Sequence, residues 1–447
     1  MRCCAATRRS WRPPRNPVRM TPVVARRDPV FYGYWIIAAA FVTQFVAVGL
    51  QNYIIGPFTI PMTETFGWTR AEFTSARSIG QMVAAFTGFF IGAGVDKYGG
   101  RPFILVGAVI LSIAVFSLGS VQSLTHWVLI NGIILTIGAA MIGNLVVNVT
   151  LGKWFVERRG RAVALAAMGV SLSGVLLPVL TTWLVDVFGW RQAWHVLGIG
   201  AAVLVLPAAL AIRRSPEDYA MNPDGRTADE MASEMGDKAR LDFASSMTRR
   251  QAMRTGRFYA LVVAFGLFQI SITVMLLQTV PFMTDAGYSR VVAASMISLS
   301  SIPSFISKPF WGIFIDRYSA KPLAAIGAGI TGFALIIIVL AVQAQNDFLV
   351  YTAFLIMGIG WGGLIPLQEV IWATFFGRRY LGSVRATAMP FTFAMTALGP
   401  VLAAAYYDRF GNYDNAFLLM AFCNLGAAAM LMLMSDQRPV IRIDRLP

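Results

Sequence analysis

The sequence predicts an all-α membrane protein with twelve transmembrane helices arranged as two six-helix bundles. Three observations predict this fold: an apolar composition, twelve apolar runs of helical length, and a repeat that relates the two halves of the chain. The 447 residues are 57% hydrophobic and 13% charged, whereas soluble domains are about 45–50% apolar and about 25% charged. The chain is therefore too apolar for a soluble domain.

Twelve apolar runs are long enough to cross a bilayer, and each ends at Gly, Pro or a charged residue. They lie at 34–60, 77–95, 103–122, 127–151, 162–185, 192–212, 258–283, 291–315, 323–343, 348–376, 387–406 and 414–434. The chain then divides into a tail at 1–31, a bundle at 32–212, a linker at 213–257, a bundle at 258–434 and a tail at 435–447. We expect the first tail to be disordered, with either Met1 or Met20 as the true start.

An internal repeat relates the two bundles with an offset of 220 residues. The sequence GAGVDKYGGRP at 92–102 recurs as GIFIDRYSAKP at 312–322, and GWTR at 67–70 recurs as GYSR at 287–290. The correspondence continues to the end of each half with a slip of two or three residues, since Pro178 corresponds to Pro400. Two copies of one unit therefore make up the chain.

The basic residues lie mainly on one side of the predicted membrane. Of the 37 Lys and Arg residues, the tails, the linker and the loops on the same side hold 31. We call this side the basic face; the opposite face holds Arg70, Arg77, Arg191, Arg290 and Arg409. The positive-inside rule predicts that the basic face and both termini are cytoplasmic. The net charge of +15 then faces anionic lipid headgroups rather than nucleic acid.

Several functional classes are disfavoured by the residue types present. Cys3, Cys4 and Cys423 provide no disulfide framework, and we find no metal-ligand spacing and no cofactor motif. The two histidines, His126 and His195, lie near the opposite face and are expected to be structural. An enzyme is disfavoured because no catalytic cluster or nucleotide motif is visible, and a sensor would need a substantial soluble output domain.

The loop between spans 2 and 3 carries the pattern Gly92-x-x-x-Asp96-Lys-x-Gly-Gly-Arg101, with a weaker copy between spans 8 and 9. With twelve spans and a central linker, the chain resembles the major facilitator superfamily, which implies a secondary transporter that works by alternating access. Four segments resemble the bacterial monocarboxylate-transporter-like and oxalate/formate antiporter families: YGYW at 32–35, FGWTR at 66–70, KWFVERRGRA at 153–162 and FGRRYLG at 376–382.

This narrower resemblance implies a small organic anion as substrate, most directly a monocarboxylate, moved by proton symport or anion exchange across a bacterial inner membrane. A functional monomer surrounded by lipid is expected. Multidrug or other metabolite efflux is the alternative. It is disfavoured because span 5 lacks the adjacent Gly-Pro of drug antiporters, although Gly399-Pro400 occurs in span 11.

The Gly–Asp–Arg loops are candidate gates. A short turn at the membrane surface needs glycine, and Asp96 can accept hydrogen bonds from a helix N-terminus or from a neighbouring Arg. The superfamily resemblance implies that such contacts lock the cytoplasmic side in one state; a static turn is the alternative. Because Ser319 and Ala320 replace two glycines in the second copy, an equal latch is not expected there. The candidate gating residues are Gly92, Asp96, Arg101, Gly312, Asp316 and Arg317.

Lys308 and Glu369 are the two ionisable residues expected at mid-bilayer. A charge at mid-bilayer costs roughly 2.5–3.5 kcal/mol and marks a functional candidate. Lys308 precedes Asp316 by about 12 Å of helix and Glu369 precedes Arg378 by about 13.5 Å, so both lie near the membrane midplane. The repeat places Gly88 and Asn148 at the matching positions, so packing alone requires neither charge.

The resemblance supports a carboxylate-binding role for Lys308, because oxalate/formate carriers place an Arg eight residues before the second Asp. Lys is a less bidentate partner than Arg, and no second cation is expected in span 11, so a monocarboxylate is favoured over a dianion. We hypothesise that the substrate carboxylate competes with Glu369 for Lys308 and that Glu369 is protonated as substrate enters. The alternatives are a snorkelling Lys308 or a static Lys308–Glu369 pair.

Polar residues on the spans expected to line the central site are weaker candidates, since each alone is more often an interhelical hydrogen bond or core filler. Tyr53 lies where the resembling carriers keep an aromatic residue in the site. The candidate substrate contacts are Lys308, Glu369, Tyr53, Asn144, Asn148, Gln278 and Trp361, with Gln44, Gln51, Asn52, Gln269 and Gln368 as further polar residues.

Overall fold

The computed structural model describes residues 31–219, 221–225 and 246–434. In these residues, nine helical segments are long and apolar enough to cross a membrane. The 53-residue segment Arg159–Ala211 is two spans that meet at Gly189, where φ is 77°, and two further long helices, Arg290–Arg317 and Leu381–Phe410, complete the twelve. The chain is an all-α membrane protein of two six-helix bundles. The two predicted tails, 1–31 and 435–447, lie outside the described residues except for Phe31.

Span 1 and span 4 of the first bundle are each divided into several helical segments, whereas span 2 and span 3 are continuous. Span 1 comprises Gly33–Val48, Gly49–Tyr53 and Ile55–Phe66; span 2 is Arg70–Tyr98; span 3 is Gly100–Leu118; span 4 comprises Leu124–Trp127, Val128–Leu135, Thr136–Ile142 and Asn144–Trp154; spans 5 and 6 are the two parts of Arg159–Ala211.

The second bundle consists of six continuous helices. Spans 7 to 12 are Gly256–Asp285, Arg290–Arg317, Ala320–Gln343, Asp347–Phe376, Leu381–Phe410 and Asp414–Leu433. In the linker, Asp224 accepts the backbone N–H groups of Val156 and Glu157, both at 3.0 Å, and Met247 donates its N–H to the Phe376 carbonyl at 2.9 Å. The described parts of the linker are thus attached to both bundles.

Spans 2 and 11 begin seven and six residues earlier than their apolar runs, which start at 77 and 387. Span 2 starts at Arg70 because Thr69 caps it: the Thr69 side chain accepts the Glu72 N–H, and the Glu72 carboxylate accepts the Thr69 N–H at 2.8 Å. Span 11 starts at Leu381. Arg77 and Arg385 therefore lie within helices, seven and four residues after the helix starts, in addition to Lys308 and Glu369.

Spans 1 and 4 depart from α-helical geometry in the membrane. Gly49–Tyr53 and Val128–Leu135 are π-helical, and Gly143 is extended, with φ −83° and ψ −167°, so that span 4 is broken before Asn144. Irregular backbone at membrane depth occurs where it is buried in protein or lines a water-filled cavity, and π-bulges frequently lie at functional sites. The irregular segments contain or adjoin two predicted site residues, Tyr53 and Asn144.

The two bundles meet where span 2 packs along span 11 and span 8 packs along span 5. A Cβ atom added at Gly92 would lie 2.5 Å from the Gly382 carbonyl oxygen, and one added at Gly312 would lie 2.9 Å from the Gly160 carbonyl oxygen. Both distances leave no room for a side chain. The repeat thus produces the same close helix crossing twice, near the basic face.

Candidate substrate site and gates

Asp96 at the end of span 2 bonds to the first turn of span 11 in the other bundle. One carboxylate oxygen accepts the Gly382 N–H at 3.1 Å, and the other accepts the Ser383 N–H and the Ser383 hydroxyl, both at 2.7 Å. First-turn N–H groups have no partner within their own helix, and the helix dipole favours a negative charge at this end. Asp96 therefore holds the two bundles together at the basic face.

Asp316 at the end of span 8 makes the corresponding contact with span 5. It accepts the Gly160 N–H at 2.7 Å, the Arg161 N–H at 3.3 Å and the Arg161 Nε–H at 2.7 Å. The expectation of an unequal latch in the second copy is wrong. The donors come from the first turn of span 5 and from Arg161, so the replacement of two loop glycines by Ser319 and Ala320 removes none of them.

Arg101 and Arg317 do not take part in these contacts. Both are exposed, and neither has a hydrogen bond or ion pair with a residue that the structure describes. Other cations fill the role: Arg161 pairs with Asp316, and Lys153 donates to the carbonyl oxygens of Val95 at 3.2 Å and Asp96 at 3.3 Å. Arg161 and Lys153 both belong to the KWFVERRGRA segment, which was the available sequence signal.

Lys308 is buried between the bundles, with 2% of its surface exposed. Its ammonium donates to the Ser171 hydroxyl of span 5 at 2.5 Å, the Ser304 hydroxyl at 3.1 Å and the Ser304 carbonyl at 3.4 Å. Within the described ranges, no acidic side chain forms an ion pair with Lys308. Among the described residues, the ammonium is thus surrounded by neutral oxygens and has no counter-charge. The sequence did not indicate either serine.

Glu369 pairs with Arg385 of span 11 and not with Lys308. The contact is bidentate, at 2.6 Å from Nη2 to Oε1 and 3.2 Å from Nε to Oε2, and the side chains are only 5% and 12% exposed. The Arg385 guanidinium also lies 5.4 Å from the Trp372 ring centre. Two predictions are therefore corrected: the Lys308–Glu369 pair is not formed, and span 11 does contain a cation, Arg385, whose side chain is 12% exposed.

Gln44 of span 1 and Asn148 of span 4 form a buried amide pair. Gln44 donates to the Asn148 side-chain oxygen at 3.2 Å, while Gln44 Oε1 and Asn148 Nδ2 have no partner among the described residues. Asn144, one turn earlier, also has an unpaired side-chain oxygen within that part of the chain. It opens the half-helix that begins after Gly143, and half-helix N-termini near the midplane favour anionic groups. This cluster offers an unused donor and two unused acceptors.

The remaining candidates, Tyr53, Trp361 and Gln278, differ in whether the structure connects them to the residues around Lys308. A Cβ added at Gly174, three residues after Ser171, would lie 3.0 Å from the Tyr53 ring. Gly362 packs against the backbone of Ser304, which bonds to Lys308, and Trp361 precedes Gly362 in the sequence. The Trp361 indole N–H has no hydrogen-bond partner in the described part of the chain. Gln278 has no hydrogen bond among the described residues, and the structure does not connect it to Lys308.

Two bundles of six helices, joined by the Asp96 and Asp316 contacts at one face and enclosing a buried lysine between them, have the architecture of a membrane transporter. A family profile described as "Major Facilitator Superfamily" matches residues 41–385 and again 259–445. The chain belongs to this superfamily. Because its relatives and its fold are those of transporters, it is a multi-pass membrane transport protein and not an enzyme.

Several similar curated proteins are named as oxalate:formate or monocarboxylate transporters. The chain is 25% identical over 426 residues to an oxalate:formate antiporter of Oxalobacter formigenes, covering 92% of this chain and 94% of that protein. It is 22% identical over 404 residues to monocarboxylate transporter 13 of Bos taurus, covering 90% and 89%. Over 170 residues, 37% of this chain and 36% of that protein, it is 31% identical to monocarboxylate transporter 6 of Mus musculus.

Solved structures show the same fold at low sequence identity. A proton:xylose symporter, XylE, superposes with a TM-score of 0.73 at 14% identity and covers 90% of this chain and 95% of its own. The human organic anion transporter MFSD10 superposes with a TM-score of 0.67 at 14% identity and covers 89% and 99%. These likenesses support the twelve-helix architecture.

Proposed function

We propose that the protein moves a small organic anion, most directly a monocarboxylate, across the membrane by alternating access. The observation that carries this proposal is Lys308, a buried ammonium at the bundle interface whose partners are two hydroxyls and a carbonyl. A carboxylate would supply the missing counter-charge with a charge-assisted hydrogen bond. The names of the relatives, oxalate:formate antiporter and monocarboxylate transporter, support the same substrate class.

In this proposal the substrate has two polar groups, and each bundle binds one of them. The substrate carboxylate replaces the Ser171 hydroxyl at Lys308, and a second polar group meets the unused donor and acceptors of Gln44, Asn148 and Asn144. Tyr53 and Trp361 provide apolar walls beside them. Because the Lys308–Ser171 bond joins the two bundles, its replacement by substrate also weakens the closed basic face.

Closure of the basic face by Asp96 and Asp316 means that this structure would receive substrate from the opposite face. Alternating access then requires both latches to break as the bundles rock. In this proposal the basic face is cytoplasmic and the functional unit is a monomer in a bacterial inner membrane. Gly92 and Gly312 allow the close crossings on which both latches depend.

Coupling follows from the charge of Lys308. A loaded site is neutral, because one carboxylate compensates one ammonium, whereas an empty site carries a buried positive charge that costs roughly 2.5–3.5 kcal/mol. If Lys308 loses its proton, the empty transporter can reorient to the other face, which gives proton symport. If Lys308 stays charged, the transporter reorients only with another anion bound, which gives exchange. Glu369 is not the proton carrier in this proposal, because Arg385 holds its carboxylate in a bidentate pair.

Counterflow in proteoliposomes tests the proposal with acetate, L-lactate, oxalate and a cationic drug as substrates. The wild type should exchange monocarboxylates best, Lys308→Ala should abolish exchange, and Lys308→Arg should retain part of it. Lys321→Ala is the control, because it removes a cation near the basic face, at the start of span 9, and should leave exchange unchanged. Preference for the cationic drug, or full anion exchange by Lys308→Ala, would refute the proposal.

A further inference from the structure

Arg77 lies on the face of span 2 that points away from lipid. Among the side chains of this helix whose exposure the structure describes, the most exposed apolar ones are Met82, Phe86 and Phe90. They follow one another at intervals of four residues and mark the lipid-facing side of the helix. At 100° per residue, Arg77 falls roughly on the opposite side of the helix from these three residues. It therefore does not snorkel toward lipid headgroups along the outer surface of the bundle.

The side of span 2 that carries Arg77 meets the second bundle nearer the basic face. Gly88 is eleven residues, or about three turns, further along and lies on nearly the same side of the helix. A Cβ added at Gly88 would lie 2.7 Å from the Met389 sulfur of span 11. Arg77 is about 16.5 Å further toward the opposite face, where its hydrogen-bond partners belong to its own bundle.

Neutral groups of span 1 hold the Arg77 guanidinium in place. It donates to the Asn52 side-chain oxygen at 2.8 Å and to the Gln51 carbonyl at 3.3 Å. Asn52 is itself fixed, because its amide donates to the Val48 carbonyl at 3.2 Å. These acceptors lie in the π-helical turn Gly49–Tyr53 or, for Val48, directly before it. The irregular turn of span 1 thus positions the arginine.

The guanidinium retains both charge and donors for a ligand. It has five N–H donors, and only two hydrogen bonds are observed, while no acidic side chain pairs with it in the part of the chain that the structure describes. Asn52 beside it is exposed. A fixed, incompletely bonded arginine suits a carboxylate, which it can bind through two parallel hydrogen bonds.

We propose that Arg77 is a second anion-binding site, which captures the substrate carboxylate at the opposite face before it reaches Lys308. This inference rests on the proposed transport of organic anions. By the repeat, Lys308 corresponds to Gly88, which lies about 16.5 Å from Arg77 along the axis of span 2, so we expect the two cations at different depths. A small monocarboxylate cannot contact both at once. Arg77 therefore acts on entry and exit at one face, whereas Lys308 acts in both directions.

Sidedness of the Michaelis constant tests this assignment. Radiolabelled L-lactate and oxalate would be offered separately to the two faces of the protein in right-side-out and inside-out vesicles. Arg77→Gln should raise the KM at the opposite face about tenfold, the size expected for one lost hydrogen bond to a charged group, and leave the KM at the basic face unchanged. Arg77→Lys, which keeps the charge but not the fork, should give an intermediate value.

Arg191→Gln provides a matched control. Arg191 is also near the opposite face, but its guanidinium lies over the Trp190 ring at 4.1 Å, so its loss should leave both KM values unchanged. Equal KM values for wild type and Arg77→Gln at the opposite face would overturn the Arg77 site alone, as would an equal rise at both faces. Absence of L-lactate and oxalate transport by the wild type would overturn the proposed function together with this inference.

Discussion

Substitution of Asp96 by Asn should open the basic face of the protein. The Asp96 carboxylate accepts three hydrogen bonds from Gly382 and Ser383, and Asn keeps one acceptor while placing an NH₂ group against N–H donors. A hydrogen bond to a charged group contributes about 1.5–3 kcal/mol, and the charge at a helix N-terminus adds about 0.3–1 kcal/mol. We therefore expect the closed state to lose about 2 kcal/mol or more.

A loss of about 2 kcal/mol lowers the ratio of closed to open molecules about 30-fold. Spin labels at Tyr98 and Tyr318 would report this change, because both side chains are exposed and lie at the basic-face ends of spans 2 and 8, one in each bundle. Double electron–electron resonance should show one short distance in the wild type and an added longer distance in Asp96→Asn. Cys3, Cys4 and Cys423 would first be replaced by Ser.

Two comparisons make the latch prediction specific. Asp316→Asn should open the basic face to a similar extent, because Asp316 also accepts three bonds from a helix start. Arg101→Gln should leave the distances unchanged, because Arg101 makes no hydrogen bond or ion pair with the described residues. If Asp96→Asn kept the wild-type distance distribution, the carboxylate would not stabilise the closed state and the argument from its hydrogen bonds would be refuted.

Two further predictions concern the buried groups. Glu369→Gln should destabilise the protein by about 3–5 kcal/mol, the range for breaking a buried ion pair, and adding Arg385→Met should recover part of that loss. The midpoint of chemical unfolding measures both effects, and additive losses from the two substitutions would contradict the pair. Ser171→Ala should lower the KM for anions without abolishing transport, because the hydroxyl that competes with substrate for Lys308 is removed. Uptake kinetics measure this KM, and a raised value would show that Ser171 binds substrate.

The sequence predicted the number of spans, the two bundles and the burial of Lys308, but it placed the starts of spans 2 and 11 too late. Apolar runs end at charged residues by definition, so span 2 was predicted to begin at Arg77, and Arg385 lay outside the predicted span 11, which began at 387. Helix ends are set by hydrogen bonds, and the capping contacts of Thr69 with Glu72 extend span 2 beyond its apolar run. A capping box at Thr69 was visible in the sequence and would have placed Arg77 inside the helix.

Partners of buried charges were the other failure, because depth along a helix does not determine direction around it. Lys308 and Glu369 were correctly expected to be buried, yet Glu369 contacts Arg385, only sixteen residues later in the chain. The turn between spans 10 and 11 brings these residues together within one bundle. Lys308 instead lies at the contact between bundles and meets Ser171, a residue with no charge to attract attention in the sequence.

The duplication is symmetric where the bundles close and asymmetric where charge is buried. Asp96 and Asp316 bond to the starts of spans 11 and 5 in the same way, so the two copies provide equivalent contacts for closing the basic face. The cations follow no such symmetry: Lys308 corresponds to Gly88, and Arg77 corresponds to Ile297. A symmetric frame alone has no preferred ligand, so the anion preference that we propose must come from the positions at which the two copies differ.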